Sequence, residues 1–406
     1  MKQLINIFLT LILTAIFIYP CTTGIITGKH TVDGRTILFK HRDSDFEQNK
    51  LMYFNDGKYD YIGLVNSADT EGNEVWGGSN STGFSIINSA SYNLKDVNDV
   101  TELKDLEGVL MKKALQNCAS VDEFEKLLHS LLKPLGVEAN FGVIDALGNA
   151  AYFECNNFTF KKYDANDLQV APNGYLIRTN YSFDGRDDEG YGYIRYKNAD
   201  DLISASAKSN DLSFKFILQN VSRSLKHSLT NVNLASDYQC DEYELKYVFF
   251  EDFIPRNSST STILIHGVKA GENPKLTTIW TLLGFPLTTV AVPVWVEAGK
   301  NLPKVVLSNE KEVAPLCDKS LKLKDKIFPI NRGSGYKYLN LSALLNKQGN
   351  GILQKIIPLE NEIFDYTQPV IETWRKAGNT DKSEAEKFYK WIDEKINQEY
   401  KKLFNL

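Results

Sequence analysis

The sequence predicts an α+β fold of antiparallel sheets with helices packed on them, and three observations point there. Short apolar or alternating stretches, bounded by Gly, Asn, Asp and Ser, recur between residues 22 and 290 in the pattern of strands joined by hairpins. Helical spacing comes in separate runs, at 101–132, 199–225 and most of the chain beyond 339. No strand–helix–strand unit of the kind that builds a parallel sheet dominates. With 406 residues, 43% hydrophobic and 24% charged, the chain has enough apolar material for one large domain or two ordinary ones.

The chain opens with Lys2 and an apolar run over 4–19, too short for a comfortable membrane span and read as a signal peptide over 1–20. That reading makes the protein exported, with a body at 21–320 and a helical C-terminal extension at 321–406 packed on it. Ile18 and Pro20 stand where a signal peptidase site carries small residues. Cleavage before Cys21 leaves one residue with both a thiol and a free α-amine. A thiol is slow to attack until a base takes its proton, and an amine with a pKa of about 7.7–8.0 is such a base. The same junction also reads as a lipoprotein site, with Cys21 lipidated and the chain a surface-anchored ligand-binding protein; the two readings exclude each other. No other stretch suits a bilayer: residues 277–296 come nearest, and their Thr, Gly and Pro fit buried strands better.

The formal charge of −5, from 46 basic and 51 acidic residues, is spread without a basic stripe, which excludes a nucleic-acid partner. Of five cysteines, setting Cys21 aside leaves Cys118, Cys155, Cys240 and Cys317, enough for two disulfides in an oxidising compartment. No C-x-x-C is present and the histidines do not cluster with cysteines, so no metal is expected. A Cys–His hydrolase using Cys155 or Cys240 with His266 or His227 is the weaker enzymatic alternative, since nothing in the sequence brings those pairs together.

After Cys21, residues 22–29 and 36–41 are strand-like and flank Thr31-Val32-Asp33-Gly34, whose Asp-Gly pair signals a hairpin. Cys21 would then begin a strand held by its neighbour. The second strand runs into His41-Arg42-Asp43-Ser44-Asp45, which reads either as a solvated strand end or as a functional one with Arg42 beside the thiol, where a cation favours thiolate, and Asp45 orienting the amine. Strand-like pieces follow at 51–55, 59–65, 74–76 and 84–87, the last ending at Asn88. Helices are expected over 101–116 and 121–132, the second opened by the capping box Ser120-Val121-Asp122-Glu123. Strands at 139–145, 150–155 and 174–178 precede helices at 199–207 and 212–225. Late strands at 258–265 and 275–296 lead to helices at 339–345, 351–376 and 382–404.

Cys21-Thr22-Thr23, the hairpin and the Arg42-x-x-Asp45 spacing together resemble the N-terminal nucleophile (Ntn) hydrolases. Within them they resemble the branch of choloylglycine hydrolases, penicillin V acylases and acyl-CoA:6-aminopenicillanic acid acyltransferases. Gly78-Ser79-Asn80-Ser81-Thr82-Gly83-Phe84 is similar to a family segment that precedes an oxyanion asparagine, here Asn88. Leu176-Ile177-Arg178-Thr179-Asn180-Tyr181 resembles the family's apolar-Thr-Asn stretch, and Tyr193-Ile194-Arg195-Tyr196 the surroundings of its second arginine. Residues 140–154 resemble its central hairpin. The resemblance covers residues 21–290. It implies a four-layer αββα sandwich and cleavage of a linear N-acyl amide through a thioester, with Cys21, Arg42, Asp45, Asn180 and Arg195 catalytic and Asn88 a further oxyanion donor. It implies no cofactor and a small-molecule N-acyl amide as substrate. Transfer of the acyl group to an amine, and a homo-oligomer, stay open.

Overall fold

The computed structural model describes residues 20–308 and 313–406; all of the 1–20 signal-peptide expectation except Pro20 lies outside the described residues. Two large antiparallel sheets carry the fold. The first runs β10-β1-β2-β14-β15-β16, from β1 (Thr22–Ile26), β2 (Ile37–Asp43), β10 (Tyr175–Arg178), β14 (Ser259–His266), β15 (Thr278–Leu283) and β16 (Val292–Val294). The second runs β3 to β9 in chain order: β3 (Asn49–Phe54), β4 (Tyr61–Asn66), β5 (Gly78–Asn80), β6 (Ser85–Ala90), β7 (Ala139–Ile144), β8 (Ala150–Cys155) and β9 (Phe160–Asp164). Small ribbons pair β11 (Lys226–His227) with β12 (Val232–Asn233), and β13 (Tyr247–Phe249) with β17 (Tyr338–Asn340).

The sheets face each other, with β1 and β2 lying over β6 and β7. Helix α1 (Glu107–Asn117) covers the outer face of the second sheet, and α3 (Tyr193–Lys208) with Pro315–Ile327 covers the first. This is the αββα order and the fold class expected from the sequence. Close approach of the sheets needs Gly142, where a Cβ would meet Tyr152, Ile87 and Leu38 at 3.0–3.2 Å. Beneath α1 and α2 (Val121–Ser130) the outer core is aromatic, with Phe124 edge-on to Phe141 and Phe153 at 6.2 and 5.2 Å. The Ser120 hydroxyl accepts from Glu123 N, as the capping box requires.

Several local expectations shift for identifiable reasons. The β1–β2 pair forms, but its connection is longer than a two-residue turn: Gly28–His30 coils into a 3₁₀ turn, and Gly34 supplies the left-handed φ of 74°. No strand forms over 74–76; Val75 and Trp76 donate instead to Gly108 and Leu64 carbonyls, and pairing resumes at β5. The helix expected from 101 starts at Glu107, because Asp105 has φ 62° and Leu106 N bonds the Gly136 carbonyl. The segment 212–225 forms only a short turn, Phe214–Phe216, followed by a π-turn over Ile217–Val221.

Lys382–Phe404 forms as expected, with Asp381 capping Glu384 N. Ile352–Ala377 stops where Gly378 adopts φ 73°. These helices are tied down from inside. Glu360 takes both Arg223 nitrogens at 2.6 and 2.7 Å and Ala291 N at 2.8 Å, and Tyr400 donates to the Thr288 carbonyl. All five cysteines are buried and unpaired, so the two disulfides the count allowed do not form. Among the described residues no helix is long and apolar enough to cross a membrane, and no cluster could hold a metal ion.

Candidate active site

Cys21 precedes β1 by one residue and is 5% exposed. Register sets what surrounds it. Thr22 lies opposite His41 and Thr23 opposite Lys40, so the next pair is Cys21 and Arg42. Cross-strand partners share a face, which puts Cys21, Thr23, Lys40 and Arg42 on one side of the sheet. That side looks into the space between the sheets: Thr23 Oγ1 accepts from Tyr152 of β8, and Lys40 Nζ donates to Asn88 Oδ1 of β6 at 2.6 Å. Trp76 lies under both cations, 5.6 Å from Lys40 Nζ and 5.1 Å from the Arg42 guanidinium. Arg42 is held by Asn49 and Asn66 at 2.6 and 2.9 Å. Burial pushes Lys40 down to about 8 and Arg42 to about 10, with the thiolate form of the nearby Cys21 opposing both shifts.

The other face of the same strands carries a second network. Burial pushes His41 down to about 4, against the pull of Asp43, so the ring is neutral at physiological pH. Its Nε2 lies 2.8 Å from Ser259 Oγ, which donates to Asp43 at 2.5 Å; Thr262 is 3.3 Å from Nδ1. With Asp43 accepting from Ser259, the hydroxyl accepts from His41, which fixes the Nε2–H tautomer. The second Asp43 oxygen takes the Arg256 guanidinium. Arg256 Nη2 also donates to the Pro20 carbonyl at 2.7 Å, gripping the residue bonded to the Cys21 nitrogen.

Arg195 ties Cys21 to the asparagine loop. From the first turn of α3 its Nη1 donates to the Cys21 carbonyl at 2.5 Å and to Thr22 Oγ1 at 3.0 Å, and its Nη2 to Asn180 Oδ1 at 2.8 Å. Burial, then Arg256, push it down to about 9, opposed by Asp43 and Cys21. Asn180 exchanges backbone bonds with Tyr191, and its side-chain amide donates to the Ala90 carbonyl at 2.9 Å, at the end of the strand that carries Asn88.

Of the residues expected from sequence, Arg42 is the next register partner of Cys21, Arg195 bonds both the Cys21 carbonyl and Asn180, and Asn88 is linked to the Cys21 face through Lys40. Asp45 lies apart from them. Strand β2 ends at Asp43, and Asp45 sits exposed on the loop beyond it. The buried carboxylate at the Cys21 end is Asp43, whose carbonyl lies 4.0 Å from Cys21 Sγ. Lys40, Asp43, Arg256 and Ser259 were missed. Counting the hairpin register outward from Thr22–His41 puts Asp43 at the Cys21 end; no local signal marks Arg256. The alternative Cys–His pairs do not assemble: Cys155 hydrogen-bonds the Phe153 carbonyl, Cys240 that of Leu345, and His266 stands against Asp33.

No family model matches the chain, and no curated protein matches it. Solved structures that it is similar to include a variant of conjugated bile acid hydrolase from Clostridium perfringens, 14% identical over 68% of this chain and 93% of that one, with TM-score 0.43. A Caenorhabditis elegans N-acylethanolamine-hydrolyzing acid amidase ortholog is 14% identical over 65% of this chain and 99% of its own, with TM-score 0.42. Penicillin V acylase from Agrobacterium tumefaciens is 13% identical over 68% and 86%, with TM-score 0.39.

Proposed function

We propose that this chain is an exported Ntn-type cysteine amidohydrolase that opens linear N-acyl amides through a thioester on Cys21. The observation that carries the reading is the convergence on Cys21 of two opposite networks. Lys40, Arg42 and Asn88 lie on its thiol face, and Asp43, Arg256 and Arg195 hold its backbone from the other.

While Pro20 is attached, the Cys21 nitrogen is an amide and cannot act as a base. Removing the segment through Pro20 frees an α-amine and releases the Arg256 Nη2 donor that held the Pro20 carbonyl. The amine then takes the thiol proton, and the thiolate attacks the acyl carbon. Amide donors from Asn88 and Asn180 meet the developing oxyanion, each worth about 2.7–4 kcal/mol of barrier in such sites. Collapse breaks the C–N bond as the protonated amine passes its proton to the leaving nitrogen. Water, deprotonated by the same amine, attacks the thioester; the acid leaves and the thiol is restored. No step needs a cofactor.

The mature protein is expected to begin at Cys21 with an unblocked amine, read by intact mass and N-terminal sequencing; a diacylated Cys21 would instead support the surface-anchored binding protein. Cys21→Ala is expected to lower turnover of an N-acyl amide panel by roughly 10⁴-fold or more, while Cys155→Ala leaves it unchanged. Retained activity in Cys21→Ala sinks the assignment. Adding a primary amine to the assay separates hydrolysis from acyl transfer by the product formed.

A further inference from the structure

Asn88 owes the direction of its amide to one residue. Lysine can only donate a hydrogen bond, so the Asn88 atom 2.6 Å from Lys40 Nζ is the carbonyl oxygen, and the Nδ2 donors point away from it. Lys40 Nζ is itself fixed by the Trp76 carbonyl at 3.0 Å and by the indole face beneath it. No hydrogen bond to Asn88 Nδ2 is found among the described residues. Lys40 is 1% exposed, Asn88 4%, and β6 packs on β1 and β2. The donors therefore lie between the sheets, on the face of β2 that Cys21 shares.

We propose that Lys40 is a positioning residue that holds the Asn88 amide with its N–H groups toward the acyl oxygen of a substrate on Cys21. The proposal rests on the amidohydrolase reading above. Without the ammonium the amide can rotate by half a turn and present its carbonyl to the oxyanion, where it would repel. The arrangement is also pH-sensitive, because a neutral amine can accept and so no longer selects the Asn88 rotamer. Burial brings Lys40 to about 8; Cys21, Glu107 and Asp43 favour its charged form and Arg42 opposes it, while Glu74 acts on Arg42.

The test uses the mature full-length enzyme on an N-acyl amide it hydrolyses. Lys40→Met is expected to lower kcat about 100-fold with KM within twofold of wild type, as loss of one oxyanion donor does. Asn88→Ala should cost a similar factor, and the double variant no more than either single one, because both remove the same donor. Lys40→Arg should keep most of kcat and move the alkaline limb of the kcat–pH profile upward from about pH 8. Should Lys40→Met fail to fold, Asn88→Asp keeps a partner for the ammonium but loses the donor, and the same 100-fold drop is expected. Additive losses in the double variant, or wild-type kcat in Lys40→Met or Asn88→Asp, overturn the proposal. If Cys21→Ala hydrolyses as well as wild type, it is the amidohydrolase reading that fails.

Discussion

Strand β14 has a buried ionic cluster at each end, and the two ends use the same residue types to different effect. At the Ser259 end, His41 and Asp43 meet through Ser259, with Arg256 on the carboxylate and Arg195 nearby. At the His266 end, His266 Nε2 stands 2.9 Å from Asp33, which also faces Arg35 at 3.2 Å and Arg375 at 3.9 Å, while Arg35 Nε holds Glu272. Burial works to raise the Asp33 carboxyl, but His266, Arg35 and Arg375 outweigh it and hold the group below the usual carboxylate range. The second cluster clips the end of helix Ile352–Ala377 onto the turn before β2, and Phe214 stacks on His266 at 5.1 Å. A histidine beside an aspartate with two arginines is therefore no site by itself. What separates the Cys21 end is a buried cysteine at a strand start and, through the sheet, a cationic face that meets an asparagine of the second sheet.

Substitutions at the two ends sharpen that contrast. The largest effect is expected from Asp43→Ala, which leaves the Arg256 guanidinium buried without its carboxylate; a loss of about 3–5 kcal/mol in urea unfolding should accompany loss of turnover. An intermediate effect comes from pH. His41 titrates at about 4 in the folded chain against an ordinary 6.5, so between those values the unfolded chain binds a proton that the folded one does not. That stability is fully present above pH 6.5 and falls as pH drops toward 4, by on the order of 3 kcal/mol; His41→Gln should flatten the slope of Tm against pH in that window. The smallest effect is expected at the other end. Asp33, with a side chain 30% exposed, should cost about 1–2 kcal/mol on conversion to Ala, with kcat/KM per folded molecule unchanged. An equal fall in kcat/KM in Asp33→Ala would erase the distinction between the ends.

How much of this was legible follows from the range of each interaction. Cys21, the β1–β2 pair and the last helix are local patterns, and the sequence shows them. Spacing alone does not say where β2 stops, so the buried Asp43 is not visible in sequence; the Ser44 N bond to the Ser258 carbonyl ties the end of β2 to the segment leading into β14. Lys40 reads in sequence as one polar position of an alternating strand, and only the second sheet across from it buries it against Asn88. Arg256 reaches Pro20 across 236 positions, beyond any local pattern.

The sequence by itself determined the strand-forming stretches, the helical C-terminal segment and a chemically special cysteine at a strand start. These depend on periodicity, turn residues and side-chain chemistry, which act over a few positions. Tertiary structure decided which buried carboxylate and which arginines lie around that cysteine, and that the C-terminal helices are locked on by Glu360 and Arg375. It also decided that the asparagine of one sheet answers to a lysine of the other. Those choices depend on strand register and on two sheets meeting face to face, and such contacts exist only once distant parts of the chain are brought together and dried.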